Sequence, residues 1–503
     1  MQRTQSSIKN LTYALIGQAA GLIVSFLARV IFVRVLSAEY LGLNGLFTNI
    51  LTMLSLVELG VGPAMNFSLY KPLAENDTEK VKSLMALYKN AYYLIGVTIL
   101  VLGFGFTPFY KYLIAEVPNI PYLNTIYILF VINSAVSYFY SYKRSLIISD
   151  QKRYIATIYR YGAYITLNIV QVVELFLTHN YILFLVVQIV FTWIENYLVS
   201  KKANKLYPYI TDNHYEKLDS KSLNQIKKNI TAMVMHKVGG IVVNSTDNII
   251  ISKFIGLAWT GLYSNYFMII TALNTIISQL YYSIVASVGN LGATDGGNKM
   301  ESIFYKTFFL TFWIYGFTSI CLLVLFNPFV SLWLGYEYLL DQTVIIVIVI
   351  NYYLGGMRKA VLTFREAAGA YWHDRYKPVF ESVINLVTSI ILAKYLGISG
   401  VFLGTIISTI TTCLWIEPYV AYKYIFHQKV GNYFVRFFTY TLTGFAVAII
   451  SICLASFVNN ITWVTFTVLV LLCASLPNLI FLFAFHKTEE FKYFRDIIVS
   501  YVK

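Results

Sequence analysis

Fourteen apolar runs, most of them close to 20 residues long and separated by short polar segments, govern what this chain can become. They lie at residues 11–33, 43–65, 84–106, 122–142, 155–177, 181–199, 230–251, 258–288, 304–326, 344–364, 379–396, 401–422, 434–457 and 463–485. About 20 apolar residues make an α-helix long enough to cross the ~30 Å hydrocarbon layer of a bilayer. Backbone amides find no water in that layer, so a spanning segment must close its hydrogen bonds internally, as a helix does. The pattern predicts an all-α polytopic membrane protein with fourteen transmembrane helices. The run from residue 258 is long enough to tilt or to protrude.

Composition agrees. Of 503 residues 58% are hydrophobic and only 12% charged, against about 25% charged in soluble domains, so a water-soluble fold is excluded. The net charge of +14 comes from basic residues clustered between apolar runs rather than along one face, which points to membrane topology and not to nucleic acid. Assigning alternate loops to one side puts 31 of the 38 Lys and Arg on the side of the amino terminus, with Arg34, Lys111, Lys253 and Lys394 on the other. Basic loops stay in the cytoplasm, so both termini are expected there, and only an even number of spans preserves the asymmetry. Cys321, Cys413, Cys453 and Cys473 fall inside apolar runs without metal-ligand spacing, which argues against a disulfide framework or a zinc site. The first run is too long for a signal-peptide core and lacks a cleavage pattern, so the amino terminus is expected to be retained. No phosphate-cradling glycine loop, zinc-protease motif or nucleophile elbow occurs, and no enzyme is expected.

The chain repeats itself. At an offset of 219 residues Lys9-Asn10-Leu11-Thr12 aligns with Lys228-Asn229-Ile230-Thr231, Gly21 with Gly240, Arg34 with Lys253, and Gly42-Leu43 with Gly261-Leu262. At 222, Tyr142-Lys143 aligns with Phe364-Arg365 and Arg153-Tyr154 with Arg375-Tyr376. Each repeat holds six runs, so both enter the membrane from the same side, and an axis along its normal is expected to relate them. The expected organisation is a lobe of residues 1–218 ending in a basic cytoplasmic linker, a second lobe of residues 219–430, and two added helices with a cytoplasmic tail at 431–503. Residues 71–89, with Asn76-Asp77-Thr78-Glu79 at their centre, read as a capped amphipathic helix at the cytoplasmic interface.

A charge at the bilayer centre costs roughly 2.5–3.5 kcal/mol even on the lenient insertion scale, so charged residues within spans usually face a cavity or a partner. At 100° per residue, Lys237, Gly240, Asn244, Asp247 and Asn248 share one face of the seventh helix. At the 219 offset Gln18, Gly21, Ser25 and Arg29 of the first helix fall on Lys237, Gly240, Asn244 and Asn248, and the two faces are expected to meet a shared cleft. The competing interpretation is that Gly, Ser and Asn simply join helices, which accounts less well for Arg29, Lys237 and Asp247. Arg160, Glu174 and Glu195 lie near span ends, where long side chains reach the headgroups. Glu58 and Glu381 lie deeper, and with Asp247 are candidates to exchange a proton or cation; for the two glutamates a structural ion pair is an equal alternative.

These residues also carry a resemblance. Arg29 through Gly42-Leu43, Leu69-Tyr70-Lys71-Pro72-Leu73-Ala74, Thr246-Asp247-Asn248-Ile249-Ile250-Ile251 through Gly261-Leu262-Tyr263-Ser264, Phe364-Arg365-Glu366-Ala367-Ala368-Gly369 and Asp374-Arg375-Tyr376-Lys377-Pro378 resemble the Wzx-type flippases, the polysaccharide transport branch of the multidrug/oligosaccharidyl-lipid/polysaccharide exporter superfamily. The resemblance spans nearly the whole chain. It implies movement of an undecaprenyl-diphosphate-linked oligosaccharide to the outer leaflet of a bacterial plasma membrane, by alternating access, beside a polysaccharide polymerase and without a bound cofactor. Arg29 and Lys237 are then expected to bind the diphosphate, with Gln18, Ser25, Asn244 and Asn248 around it, and a proton or sodium gradient to drive transport through Asp247, Glu58 or Glu381. Alternatives are a teichoic-acid precursor or lipid II flippase, a multidrug/cation antiporter of the same superfamily, and a non-transporting scaffold for polysaccharide assembly.

Overall fold

The computed structural model describes residues 2–58, 61–212, 218–220, 223–224, 226–227, 230, 245–294, 297–368, 373–458 and 460–502. Among them the secondary structure is entirely helical: α1 Gln2–Val35, α2 Ala38–Leu54, α3 Val61–Ala74, α4 Thr78–Phe106, α5 Leu123–Tyr138, α6 Ser141–Ser149, α7 Arg153–Thr178, α8 Tyr181–Leu206, α9 at 245–254, α10 Leu257–Thr294, α11 Gly297–Trp333, α12 Gln342–Ala367, α13 Lys377–Ser408, α14 Leu414–Ala421, α15 Gly431–Ala455, α16 Trp463–Phe485 and α17 Glu489–Val502.

Nine helical stretches among the described residues are long and apolar enough to cross a membrane, or ten if α5 and α6, bent by 41°, form one span. The difference from fourteen has identifiable causes. The second run is broken at a 3₁₀ turn, Ser55–Glu58, leaving α2 with 17 residues, and α5 has only 16. Most of the seventh run lies outside the described residues. The eleventh and twelfth runs form one helical stretch of 50 residues, Lys377–Phe426. That stretch is not one rod: Gly397 takes φ 57° and ψ −138°, a conformation open to glycine. The two arms fold back on each other there, with Ser389 Oγ donating to the Val401 carbonyl at 2.9 Å and Asn385 Nδ2 to Thr405 Oγ1 at 2.9 Å.

Residues 71–89 are not a separate interfacial helix. α3 ends at Ala74, the chain turns through Asn76 in the left-handed region (φ 55°), and Asp77 caps α4 by accepting from the Lys80 amide at 3.0 Å. The cap read from the sequence thus opens the third long helix itself.

The chain divides into two compact units, Met1–Gly261 and Leu262–Lys503. This is a division of compactness, whereas residue 218 marks a boundary of the sequence repeat. The first unit has a core of α3, α4, α5, α6 and α8, with Tyr88, Leu69, Ile99 and Leu146 fully enclosed. In the second, Phe304, Phe308 and Phe312 form an aromatic ridge one turn apart on α11, against Tyr433 and Tyr440 of α15 and Phe481 and Phe485 of α16.

Candidate functional site

The polar face of α1 is partly a packing seam. A Cβ on Gly21 would lie 3.0 Å from the Tyr161 ring of α7, and one on Gly17, a turn earlier, would overlap that ring. Ser25 continues the four-residue spacing of small side chains that lets membrane helices approach closely. Its hydroxyl donates to the Gly21 carbonyl at 2.7 Å, so at 2.5 Å from the Tyr164 hydroxyl it must accept. Arg29 is half-buried one turn further on, within electrostatic reach of Tyr164. Gln18 is buried, and its Nε2 has no hydrogen-bond partner among the described residues. A buried amide donor left unmade is costly, and it suits an incoming acceptor.

Lys237, Gly240 and Asn244 lie outside the described residues. Asp247 and Asn248 follow on α9, both half-buried, and the Oδ1 atom of each lacks a hydrogen-bond partner among the described residues. The Asn248 amide faces α2, its Nδ2 3.7 Å from where a Cβ on Gly45 would stand. Two neighbouring buried acceptors without donors fit a cation, or a proton on the carboxyl.

Glu58 ends the 3₁₀ turn that breaks the second run. Its Oε2 accepts from the Tyr138 hydroxyl at 2.9 Å, and Tyr92 also bonds to the carboxylate. Neutral donors hold it where an ion pair would need a cation, and a carboxyl in such a setting can take up or release a proton without breaking a salt bridge.

Glu381 is placed differently. Its Oε2 lies 3.1 Å from Lys377 Nζ and its Oε1 3.6 Å from Arg358 Nη1, at the edge of an ionic network centred on Glu417. Glu417 is fully buried on α14 and accepts from Arg358 twice, at 2.9 and 2.7 Å, and from Lys377 at 2.6 Å. Arg365 reaches Asp374 at 2.6 Å and Glu417 at 3.9 Å. Three cations and three carboxylates therefore balance. Asp374, in the turn before α13, keeps one oxygen without a partner, and burial pushes its carboxyl up despite Arg365 beside it. Pro418 removes a backbone donor, and π-helical turns flank the short α14 at Thr409–Cys413 and Tyr422–Phe426.

Sequence reasoning passed over Glu417, although a signal was present: Glu417 stands 222 residues after Glu195, the offset that relates the loops before α7 and α13. In the first unit Arg144 holds Glu195 at 2.6 Å and Asn196 at 3.0 Å. Both units thus carry a glutamate on the last helix of their repeat, paired with an arginine. Glu195 is an ion-pair partner rather than a side chain reaching for the headgroups. Among the described residues no group of three or more His, Cys, Asp or Glu is placed to hold a metal ion.

The long apolar helices define a multi-pass membrane protein, and its fold is that of known transporters. No protein-family model matches the sequence, and no curated protein matches it either. Solved structures do. The lipid II flippase MurJ in an inward closed conformation aligns with 98% of this chain and 100% of its own at TM-score 0.65 and 16% identity. An inward-facing multidrug resistance MATE family transporter of the MOP superfamily aligns with 82% of this chain and 98% of its own, at TM-score 0.66 and 14% identity. A mutant of the Vibrio cholerae MATE transporter VcmN gives 85% and 99%, at TM-score 0.59 and 10% identity. At these identities the likeness is one of fold, shared with transporters and a flippase rather than with enzymes.

Proposed function

We propose that this protein is a flippase that carries undecaprenyl-diphosphate-linked oligosaccharide repeat units from the cytoplasmic to the outer leaflet of a bacterial plasma membrane, for assembly of a cell-surface polysaccharide. The observation that carries this reading is extent: the lipid II flippase matches 98% of the chain, whereas the MATE transporters match 82–85%. The part that multidrug transporters leave unmatched is matched by a flippase of a diphosphate lipid. In this reading all fourteen apolar runs cross the bilayer, and both termini are cytoplasmic.

The cargo explains the polar groups. A diphosphate and many hydroxyls cannot enter hydrocarbon unaided, while the polyprenyl tail can stay in lipid. Arg29 offers a two-pronged fork to the diphosphate and Lys237 a point charge. Gln18, whose amide lacks a partner, Ser25, Asn244 and Asn248 supply hydrogen bonds. A cationic drug would favour acidic and aromatic groups, so the basic residues argue against a multidrug antiporter. Asp247 and Glu58 are the candidates for a driving proton or sodium ion; one charge moving down 100 mV yields about 2.3 kcal/mol. Glu381, held by Lys377 and Arg358, suits a structural role better.

Deleting the gene in its host and identifying the lipid-linked glycan retained in the cytoplasmic leaflet tests the reading. An oligosaccharide repeat unit supports it. Retention of lipid II or a teichoic-acid precursor assigns that cargo instead, and drug sensitivity without any retained lipid favours the antiporter.

A further inference from the structure

The first unit has a second polar cavity, of roughly 460 Å³, at the basic end of its helices. α4 forms its floor: Lys82, Met85, Ala86, Lys89 and Asn90 recur at the three- and four-residue spacing of one helix face. Tyr142 and Lys143 at the start of α6 form one wall, and Asn204 of α8 with the turn through Thr211 and Asp212 forms the other. The charges are unbalanced. Lys82 is satisfied by Glu79 at 2.8 Å and Asp212 at 3.3 Å. Lys143 bonds only to a neutral group, Asn204 Oδ1, at 2.8 Å, and Lys89 has no carboxylate partner among the described residues. The two ammonium groups repel each other.

Two unneutralised lysines in one concave site, with amides at Asn90 and Asn204, have the chemistry of an anion receptor. An ammonium can only donate, so Lys143 fixes Asn204 with its oxygen toward the lysine and its NH₂ free to donate elsewhere. The geometry points to a binding site for a phosphate-bearing group, held between Lys89 and Lys143 and hydrogen-bonded by Asn90 and Asn204. Both an anionic phospholipid headgroup and a soluble phosphate present this chemistry. The site is separate from Arg29 on α1, and it stands whether or not the proposed cargo is correct.

The test uses the full chain, purified and either titrated with inorganic pyrophosphate in detergent or placed in nanodiscs of phosphatidylcholine with and without phosphatidylglycerol. Binding is read by calorimetry and by the shift in Tm. Lys89→Gln and Lys143→Gln, singly and together, are compared with Lys201→Gln, an exposed lysine on α8 outside the cavity. The expected result is that at least one of the two ligands binds the wild type and Lys201→Gln alike, and that the double variant binds it at least tenfold more weakly. Lys89→Arg should retain binding. A response to pyrophosphate alone assigns a soluble phosphate, and a response to phosphatidylglycerol alone assigns a lipid headgroup. Because Lys89 is exposed, its single variant should keep the wild-type Tm without ligand and stays informative if the double variant misfolds. Equal binding by wild type and Lys89→Gln, or no response of the wild type to either ligand, overturns the proposal.

Discussion

Gly42 and Gly261 meet backbone to backbone: a Cβ on Gly261 would stand 3.1 Å from the Gly42 nitrogen. The contact is reciprocal. A Cβ on Gly42 would overlap the Leu257 carbonyl oxygen, and one on Gly261 the Ala38 carbonyl oxygen. Leu257 follows Ala38 by the same 219 residues that separate the two glycines, so each repeat copy offers the other the same atoms, as partners about a two-fold axis do. Gly42→Val and Gly261→Val should each destabilise the protein by ~1–3 kcal/mol through overpacking, read as a lower Tm in detergent. An unchanged Tm in either variant would contradict the contact.

Breaking the second unit's ionic network should be expensive. Glu417→Gln strands Arg358 and Lys377 in a buried site, where loss of one partner costs ~3–5 kcal/mol. Combining Arg358→Met with Glu417→Leu leaves two cations facing two carboxylates and should restore part of the lost Tm. Glu195→Gln, at the more exposed pair with Arg144, should cost less than Glu417→Gln. The order of the three midpoints checks all of these statements.

Arg29→Ala and Lys237→Ala should each lower translocation of the lipid-linked glycan at normal protein levels, and Arg29→Lys should be only partly tolerated if a fork to the diphosphate matters. Wild-type transport by both alanine variants would remove them from the proposed site.

Single cysteines replacing Ser200, Gly297 and Lys487 should react with an impermeant thiol reagent only from the cytoplasmic side. Those replacing Asn180 and Asn459 should react from outside. Reaction of the Lys487→Cys variant from outside would overturn the fourteen-span arrangement.

Much of the fold was legible because hydrocarbon imposes one requirement on every spanning segment, and apolar runs record it directly. The Asp77 cap was legible too, but not which helix it opens, since the turn through Asn76 is set by one residue's backbone conformation. On α1 the four-residue spacing was visible, whereas its meaning depends on Tyr161 and Tyr164, 140 or so residues away in sequence. Glu417 was overlooked because its three cations come from Arg358, Arg365 and Lys377, a convergence that only folding brings about.

The order of that convergence bears on how the protein is made. Arg358, Arg365 and Lys377 all precede Glu417 in the chain, so the ribosome completes the cationic part of the site before the glutamate emerges. An ionised glutamate entering hydrocarbon alone would meet a cost like that of other charged residues, a few kcal/mol. The reversal at Gly397 returns α14 alongside the segment that begins with Lys377, 40 residues earlier. The hairpin can thus leave the translocon with its charge already neutralised, and the step most exposed to failure in biogenesis is the release of this one pair of helices.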